Sequence, residues 1–106
     1  MKLYSKRIAF MISDQHFIPH GGIGSFCKSF TEMCDRVNWQ VDFVMDKKPT
    51  GDLYSTLKEM NVNFVYPKDR YDYDKHRATF AFSDSFCLEQ IANFRMAIVE
   101  AFNYNC

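Results

Sequence analysis

The sequence predicts an α/β fold, a Rossmann-like parallel sheet with flanking helices. Residues 7–13 form a continuous apolar run of strand length, which suits a strand buried on both faces of a parallel sheet. A second apolar run covers 41–46. Between the two runs, apolar residues recur at helical spacing and form a single stripe. This stripe consists of Ile23, Phe26, Cys27, Phe30, Met33, Cys34 and Val37.

The connection after the first strand is a loop over 14–22, which is long because strand-to-helix loops commonly run ~2 to 6 residues. Long loops at this position often carry function. The helix that follows is predicted to begin at Gly22 or Gly24 and to end at Val37, with Asn38 as its carboxyl-terminal cap. The order is therefore strand, glycine-bearing loop, helix, strand.

The middle of the chain continues the same alternation. Proline and glycine within 47–51 indicate a turn, and Asp52 is suited to cap a short helix over 53–60. Residues 61–67 alternate polar and apolar side chains before a proline, which predicts a third strand.

The last third of the chain begins with a polar, tyrosine-rich stretch over 68–77, predicted as a solvated surface connection, with a binding surface as the alternative. A long helix is then predicted from Ser83 or Asp84. Its apolar face comprises Cys87, Ile91, Phe94, Ile98, Ala101 and Phe102. The resulting order is βαβαβα, and this alternation leads us to expect a further parallel strand after the last helix. The sheet is therefore predicted to be incomplete.

Length and charge limit the functional classes. The chain has 106 residues and 47% hydrophobic residues, which fits at most one folded domain. Lys plus Arg and Asp plus Glu number 13 each without a long block of either sign, so a stand-alone nucleic-acid-binding module is not indicated. An enzyme that acts on nucleic acid stays open.

Apolar runs and cysteines point to an intracellular protein without a metal site. No run reaches membrane-spanning length, and the first is too short for a secretory signal. We expect a soluble cytoplasmic protein, in the host cytoplasm if the source is viral. Cys27, Cys34, Cys87 and Cys106 lack the spacing of a zinc site or a redox dithiol, and we predict that Cys27 and Cys34 are buried reduced thiols.

The glycine-bearing loop is the predicted binding site. Gly21, Gly22 and Gly24 are three of the four glycines in the chain. A right-handed crossover places them at the carboxyl end of the first strand and the amino end of the helix, where ligands bind in open α/β sheets. The first-turn amides are oriented to bind an anion such as a phosphate, and Ser25 could add a hydroxyl. The alternative is that the glycines only allow a tight loop to pack against the sheet.

Two histidines flank this loop. His16 and His20 could each donate to a phosphate or act as an acid or base. The alternative for both is an exposed polar side chain without a role. Spacing alone identifies no nucleophile with its base.

Dinucleotide and mononucleotide motifs fit poorly. Gly22 and Gly24 supply the first two glycines of G-x-G-x-x-G, and Asp46 is placed for a ribose, but the third glycine is absent. The long insertion over 14–21 replaces the tight turn that pyrophosphate binding needs, which disfavours NAD and FAD. No Gly-Lys-Ser or Gly-Lys-Thr follows, which excludes a P-loop.

Three segments carry a resemblance to a known family. They are His-Gly-Gly-Ile-Gly at 20–24, Val-Asp-Phe-Val at 41–44, and Leu-Lys-Glu-Met-Asn-Val-Asn-Phe-Val-Tyr at 57–66. With the strand–helix pattern, they resemble the amino-terminal domain of GT-B glycosyltransferases. The likeness is greatest to the family 4-like group that includes glycogen synthase-like and sucrose-phosphate-synthase-like enzymes, and it covers nearly the whole chain.

This resemblance implies a Rossmann-like amino-terminal half of a glycosyltransferase, which moves a sugar from a nucleotide sugar to an acceptor hydroxyl. Gly21, Gly22 and Gly24 would lie at the cleft between two domains, near the donor diphosphate and the acceptor. His16 and His20 would share that loop without a defined catalytic role. The second, donor-binding domain of the family is not among residues 1–106, so we expect a fragment that is inactive alone. The donor is a substrate, and no cofactor or metal is expected.

Other functions remain open. A flavodoxin-like interaction or regulatory protein would use 69–77 and the loop at Phe17 and Ile18 as its contact surface, because aromatic residues are favoured at interfaces. A small nucleotide-binding protein is a third hypothesis. The phenylalanine-, tyrosine- and asparagine-rich composition is compatible with a viral enzyme that modifies DNA bases, so nucleic acid stays open as an acceptor.

Overall fold

The computed structural model describes residues 4–18, 21–60, 62–68, 73, 75–82 and 84–92. In this part of the chain, a parallel sheet carries helices on both faces. The strands are β1 (Lys6–Met11), β2 (Trp39–Val44), β3 (Asn63–Val65) and β4 (Ala78–Ala81). The helices are α1 (Gly21–Arg36), α2 (Asp52–Glu59) and α3 (85–92), and a single 3-10 turn spans Asp14–His16.

The sheet has four strands in the order β3-β2-β1-β4, and every pair is parallel. The predicted α/β, Rossmann-like class is therefore confirmed. The chain builds outward from β1 through β2 to β3 and then crosses back to place β4 on the other side of β1. The carboxyl ends of β1 and β4 consequently form a topological switch point, the place where open α/β sheets bind ligands.

The main core lies between the sheet and the helices α1 and α2. Phe10 at the centre of β1 is fully buried, and its ring centroid lies 4.9 to 6.0 Å from those of five other phenylalanines. Its ring neighbours are Phe26, Phe30, Phe43, Phe80 and Phe82. Tilted and edge-on pairs of this kind add to the free energy gained by burying their apolar area. The rings join β1, β2, β4 and α1.

A smaller core lies on the opposite face, under α3. Ala9 and Met11 of β1 and Val44 of β2 are fully buried there, together with Tyr73 and Cys87. Successive residues of β1 thus serve two cores, because side chains alternate across a strand. This explains why the strand is apolar without a break.

The fourth strand corrects the prediction of three. Ala78–Ala81 pairs with β1, although the sequence analysis placed no strand between 68–77 and the last helix. The strand is four residues long and begins and ends with alanine, a weak strand former, so that Thr79 and Phe80 give only a short local signal and pairing with the buried β1 decides its conformation. The expected strand after the last helix lies outside the described residues.

The polar stretch before β4 is also less solvated than predicted. Tyr73 is buried, and the side chain of His76 is fully buried. Residues 69–72 and 74 lie outside the described part. Among the described residues of this segment, Tyr73 and His76 therefore pack against the sheet, whereas Lys68, Lys75 and Arg77 are exposed as predicted.

Helix boundaries follow the predictions closely. Asn38 has φ of 66° and its N–H donates to the Asp35 carbonyl at 3.1 Å, which confirms it as the residue that ends α1. At α2 the capping position belongs to Gly51, with φ of 98°, and Asp52 lies inside the first turn, so the predicted cap is wrong by one residue. In α3, Cys87 is buried as predicted. The predicted apolar face of this helix beyond residue 92 lies outside the described residues.

Cys27, Cys34 and Cys87 are buried free thiols, which confirms the prediction for the first two. Burial raises the pKa of Cys27 to about 12, so this thiol stays protonated and unreactive. Cys106 lies outside the described residues. Of the helices that the structure describes, none is long and apolar enough to cross a membrane.

Candidate functional site

The candidate site is an open cavity at the carboxyl ends of β1 and β4, with a volume of about 430 Å³. Its described lining comes from four elements: the 3-10 turn after β1, the first turn of α1, the end of β4 and the start of α3. The lining residues are His16, Ile23, Ala81, Phe82 and Asp84. The cavity thus lies at the switch point of the sheet and touches helices from both faces.

Asp84 is the polar centre of the site. Its side chain is 1% exposed. One carboxylate oxygen, Oδ1, accepts the Cys87 N–H at 2.8 Å and so caps α3. The other, Oδ2, accepts the Ser13 N–H at 3.0 Å and lies 3.1 Å from Nδ1 of His16. This carboxylate therefore ties the start of α3 to the loop after β1.

The charge state of Asp84 follows from these contacts. Burial alone would raise the pKa of the carboxyl group, but the hydrogen bonds from Cys87, Ser13 and His16 outweigh it and lower the pKa below its usual value. Asp84 is accordingly ionised at neutral pH and can only accept hydrogen bonds. It follows that Nδ1 of His16 carries a proton.

His16 is thereby held in one tautomer. With the proton on Nδ1, neutral His16 has a lone pair on Nε2, at the opposite side of the ring. The side chain is 44% exposed and lines the cavity, and no described residue binds Nε2. An acid–imidazole pair with one open nitrogen can accept a proton from a bound hydroxyl or donate a hydrogen bond when charged.

The turn that carries His16 is fixed by Asp46 at the end of β2. Asp46 Oδ2 accepts the Ser13 hydroxyl at 3.0 Å, and Oδ1 accepts the Asp14 N–H at 2.8 Å. Ser13 Oγ in turn accepts the Gln15 N–H at 3.4 Å, and the His16 N–H donates to the Ser13 carbonyl at 3.0 Å. Both oxygens of Asp46 thus hold the loop. Asp46 therefore has a structural role in the loop, and the ribose role that the sequence suggested for it stays a prediction.

The predicted glycine site lies beside the same cavity. Gly22, Gly24 and Ser25 are in the first turn of α1, whose first residue is Gly21. Gly24 is buried, whereas Gly22 and Ser25 are exposed. Ile23, between the two glycines, lines the cavity with His16. Of the predicted site residues, His20 lies outside the described part.

Gly22 is not required by the packing of the chain. A Cβ built at this position would meet no atom within 4 Å, and φ is not in the left-handed region. An exposed helical glycine costs roughly 0.5–1 kcal/mol relative to alanine. The open space above Gly22 would admit a ligand as readily as a side chain.

Sequence reasoning did not single out Asp84 or Ser13 as site residues. Asp84 was noted only as a helix start. Its position after a parallel strand would have signalled a site at the carboxyl edge of the sheet, but this inference needs β4, which is only four residues long and was not predicted. Its contact with His16 spans 68 residues of sequence.

Comparison of the chain with protein-family models, with curated proteins and with solved structures gives no match in any of the three. The fold assignment therefore rests on the sheet topology.

Proposed function

We propose that this chain is the acceptor-binding half of a nucleotide-sugar-dependent glycosyltransferase, in which His16 is the general base for the acceptor hydroxyl. One observation carries the proposal: an ionised, buried Asp84 orients His16 at a cavity on the switch point of the sheet. The motif-level resemblance supplies the reaction class. A donor-binding domain, which that class requires, would complete the enzyme.

The proposed reaction is the transfer of a glycosyl group to the acceptor hydroxyl. The acceptor oxygen forms a bond to the anomeric carbon of the donor sugar, and the bond from that carbon to the diphosphate oxygen breaks. Its electron pair leaves with the nucleoside diphosphate, and the acceptor proton passes to Nε2 of His16. Asp84 stabilises the resulting imidazolium through Nδ1, at 3.1 Å. A positioned base of this kind contributes about 10²- to 10⁴-fold to a rate.

The first turn of α1 supports a second part of the proposal, in which it faces the donor diphosphate. Its amide groups lack intrahelical acceptors and favour an anion. The unobstructed surface at Gly22 allows an oxyanion to approach the backbone closely. Ile23 brings this turn to the same cavity as His16, so that donor and acceptor would meet there.

Binding to the 106-residue chain tests the site. Isotope-labelled protein is titrated with uridine and guanosine diphosphates and their sugar conjugates, and the amides of 21–25 are followed by NMR. We expect shifts in these amides, and weaker binding after Gly22→Leu than after Ser29→Leu, an exposed change on the same helix. Unchanged amides with every nucleotide, or equal affinity of the two variants, would refute the donor part.

Activity is tested on the native gene product isolated from its source. His16→Gln is expected to lower kcat for transfer by about 100-fold or more while leaving the KM for the nucleotide sugar near its wild-type value. A native product with a mass near 12.5 kDa and no transferase activity would refute the transferase assignment.

An interaction protein is the second candidate function. Ile18 in the loop and Phe26 in α1 are large apolar side chains that are 45% and 41% exposed, and they would form the contact surface. Phe17 is buried and Tyr73 is buried, so neither contributes to the contact surface that the sequence suggested. This candidate predicts that Ile18→Ser weakens partner capture and leaves nucleotide binding unchanged.

A further inference from the structure

We propose that Ser13 and Asp46 are positioning residues for His16, and that Asp46 acts on the imidazole through the Ser13 hydroxyl. The inference rests on the proposed function, because it names the residues that hold the proposed base in place. One juxtaposition carries it. Ser13 lies between two carboxylates, with its N–H donating to Asp84 Oδ2 at 3.0 Å and its hydroxyl donating to Asp46 Oδ2 at 3.0 Å.

The sheet order places the two carboxylates on either side of Ser13. In the order β3-β2-β1-β4, the neighbours of β1 are β2 and β4. Ser13 follows β1, Asp46 follows β2 and Asp84 follows β4, each within three residues of the end of its strand. Because the strands are parallel, these three positions lie at the same edge of the sheet. The loop that carries His16 is therefore held from both neighbouring strands.

Ser13 uses each of its polar groups in this arrangement. Its carbonyl accepts the His16 N–H at 3.0 Å, and its hydroxyl oxygen accepts the Gln15 N–H at 3.4 Å. His16 is thus connected to Ser13 twice, once through its own backbone and once through Asp84, whose Oδ2 also lies 3.1 Å from Nδ1 of the ring. At 4% exposure, Ser13 has little access to water that could replace a lost partner.

The two carboxylates affect the imidazole in different ways. Asp84 accepts a hydrogen bond from the ring itself and sets its tautomer. Asp46 instead holds the turn, because its two oxygens accept the Ser13 hydroxyl and the Asp14 N–H. Without Asp46 the turn gains conformational freedom, so the contact between Nδ1 and Asp84 forms for a smaller part of the time. A displacement of about 1 Å in a catalytic group can lower a rate about 100-fold.

The test follows the nitrogen chemical shifts of the neutral His16 ring in the 106-residue chain, which give the fraction with the proton on Nδ1. We expect Ser13→Ala and Asp46→Ala each to lower this fraction. Ser13→Thr, which keeps a hydroxyl, should restore most of it. Because both residues act through one hydrogen bond, the double variant should shift the fraction no further than Asp46→Ala alone. A shift equal to the sum of the two single shifts would contradict this shared path.

Two control variants separate positioning from a general loss of stability. Ser5→Ala makes the same change before the amino end of β1 and removes the hydrogen bond from Ser5 Oγ to the Asn38 carbonyl. Val41→Ala shortens a buried side chain of β2 and lowers stability by leaving a cavity. Neither control should alter the His16 tautomer. Equal shifts in Ser13→Ala and Val41→Ala would overturn the inference, because loss of stability would then explain both.

Activity of the native gene product separates this inference from the proposed function. Ser13→Ala is expected to lower kcat for transfer by about tenfold or more and to leave the KM for the nucleotide sugar near its wild-type value, because it displaces the base and not the first turn of α1. If the variants change the tautomer but the native product lacks transferase activity, the positioning role stands and the reaction assignment fails. If the native product is an active transferase and neither variant changes the tautomer or kcat, the positioning role is refuted and the proposed function stands.

Discussion

The described part of the chain contains two aspartate–histidine pairs, which differ in what surrounds the ring. In the Asp84–His16 pair, at the carboxyl edge of the sheet, Oδ2 and Nδ1 are 3.1 Å apart and the imidazole is 44% exposed. In the Asp42–His76 pair, within the sheet, Oδ2 and Nε2 are 2.8 Å apart and both side chains are fully buried. The same chemical pair thus occurs once at a cavity and once in the interior.

Asp42 connects several segments. Its Oδ1 accepts from Asn63 Nδ2 at 3.0 Å, and Nη2 of Arg7 lies 3.0 Å from Oδ2 and 3.2 Å from Oδ1. With His76, the carboxylate joins β1, β2, β3 and the residue group before β4. A buried charge that is fully engaged holds the fold together, whereas a pair with one open nitrogen at a cavity can act on a ligand. Exposure, and not the pair itself, distinguishes structure from function here.

The largest expected effect comes from breaking the interior pair. Asp42→Ala removes the acceptor of Arg7, Asn63 and His76 at once, and we expect a loss of about 3 kcal/mol in the free energy of unfolding. Denaturant unfolding measures it, with Glu59→Ala at an exposed position of α2 as the control. A loss below about 1 kcal/mol would show that the cluster does not stabilise the fold.

The pair at the cavity is expected to contribute less to stability. Asp84→Ala removes the cap of α3 and the acceptor of the Ser13 N–H, a combined loss of about 2 kcal/mol. Its second effect is specific to the site: the His16 tautomer should no longer be fixed with the proton on Nδ1. Nitrogen chemical shifts of the His16 ring report this directly. An unchanged tautomer population would contradict the orienting role of Asp84.

The sequence predicts the unit from β1 to β2 but not the two aspartate–histidine pairs. The unit from β1 to β2 is readable because its strand, loop and helix patterns are contiguous, and its glycine turn does lie beside the cavity. The two aspartate–histidine pairs cannot be predicted from the sequence, because Asp84 and His16 are 68 residues apart and Asp42 and His76 are 34 residues apart. In the sequence, Asp42 is a polar residue within an apolar strand. Only the sheet register brings its partners to it.

The weak strand β4 explains most of what was missed. Only Thr79 and Phe80 of its four residues favour extended structure, and its place beside β1 depends on long-range pairing. Unless that strand is predicted, the switch point cannot be located, and nothing in the sequence indicates that Asp84 lies beside His16. A local pattern can therefore predict the glycine-bearing loop. It cannot predict the side of the cavity that Ala81, Phe82 and Asp84 form.

Lowering the pH is expected to reduce the stability of the wild-type protein because Asp84 becomes protonated. Because the folded-state pKa of this carboxyl group is lowered, the stabilisation is complete above its unfolded pKa of about 3.9 and is lost as the pH falls through the lower folded value. The stability advantage of the wild type over Asp84→Asn is thus expected to narrow on acidification. Unfolding curves at a series of pH values measure the difference. Ser85→Ala, an exposed neutral change in the same turn, should show a constant difference.

The smallest change in stability is expected at His16, and it distinguishes the roles of the two histidines most clearly. His16→Gln alters a side chain that is 44% exposed and keeps a hydrogen-bond donor, so we expect the free energy of unfolding to change by no more than about 0.5 kcal/mol. His76→Gln, the matched change in the buried pair, should cost about 1–3 kcal/mol because a buried hydrogen-bonding group is displaced. Denaturant unfolding of both variants gives the two values. Equal losses would mean that both histidines serve the fold. A small loss at His16 together with a large loss at His76 separates the pair at the cavity from the structural pair in the interior.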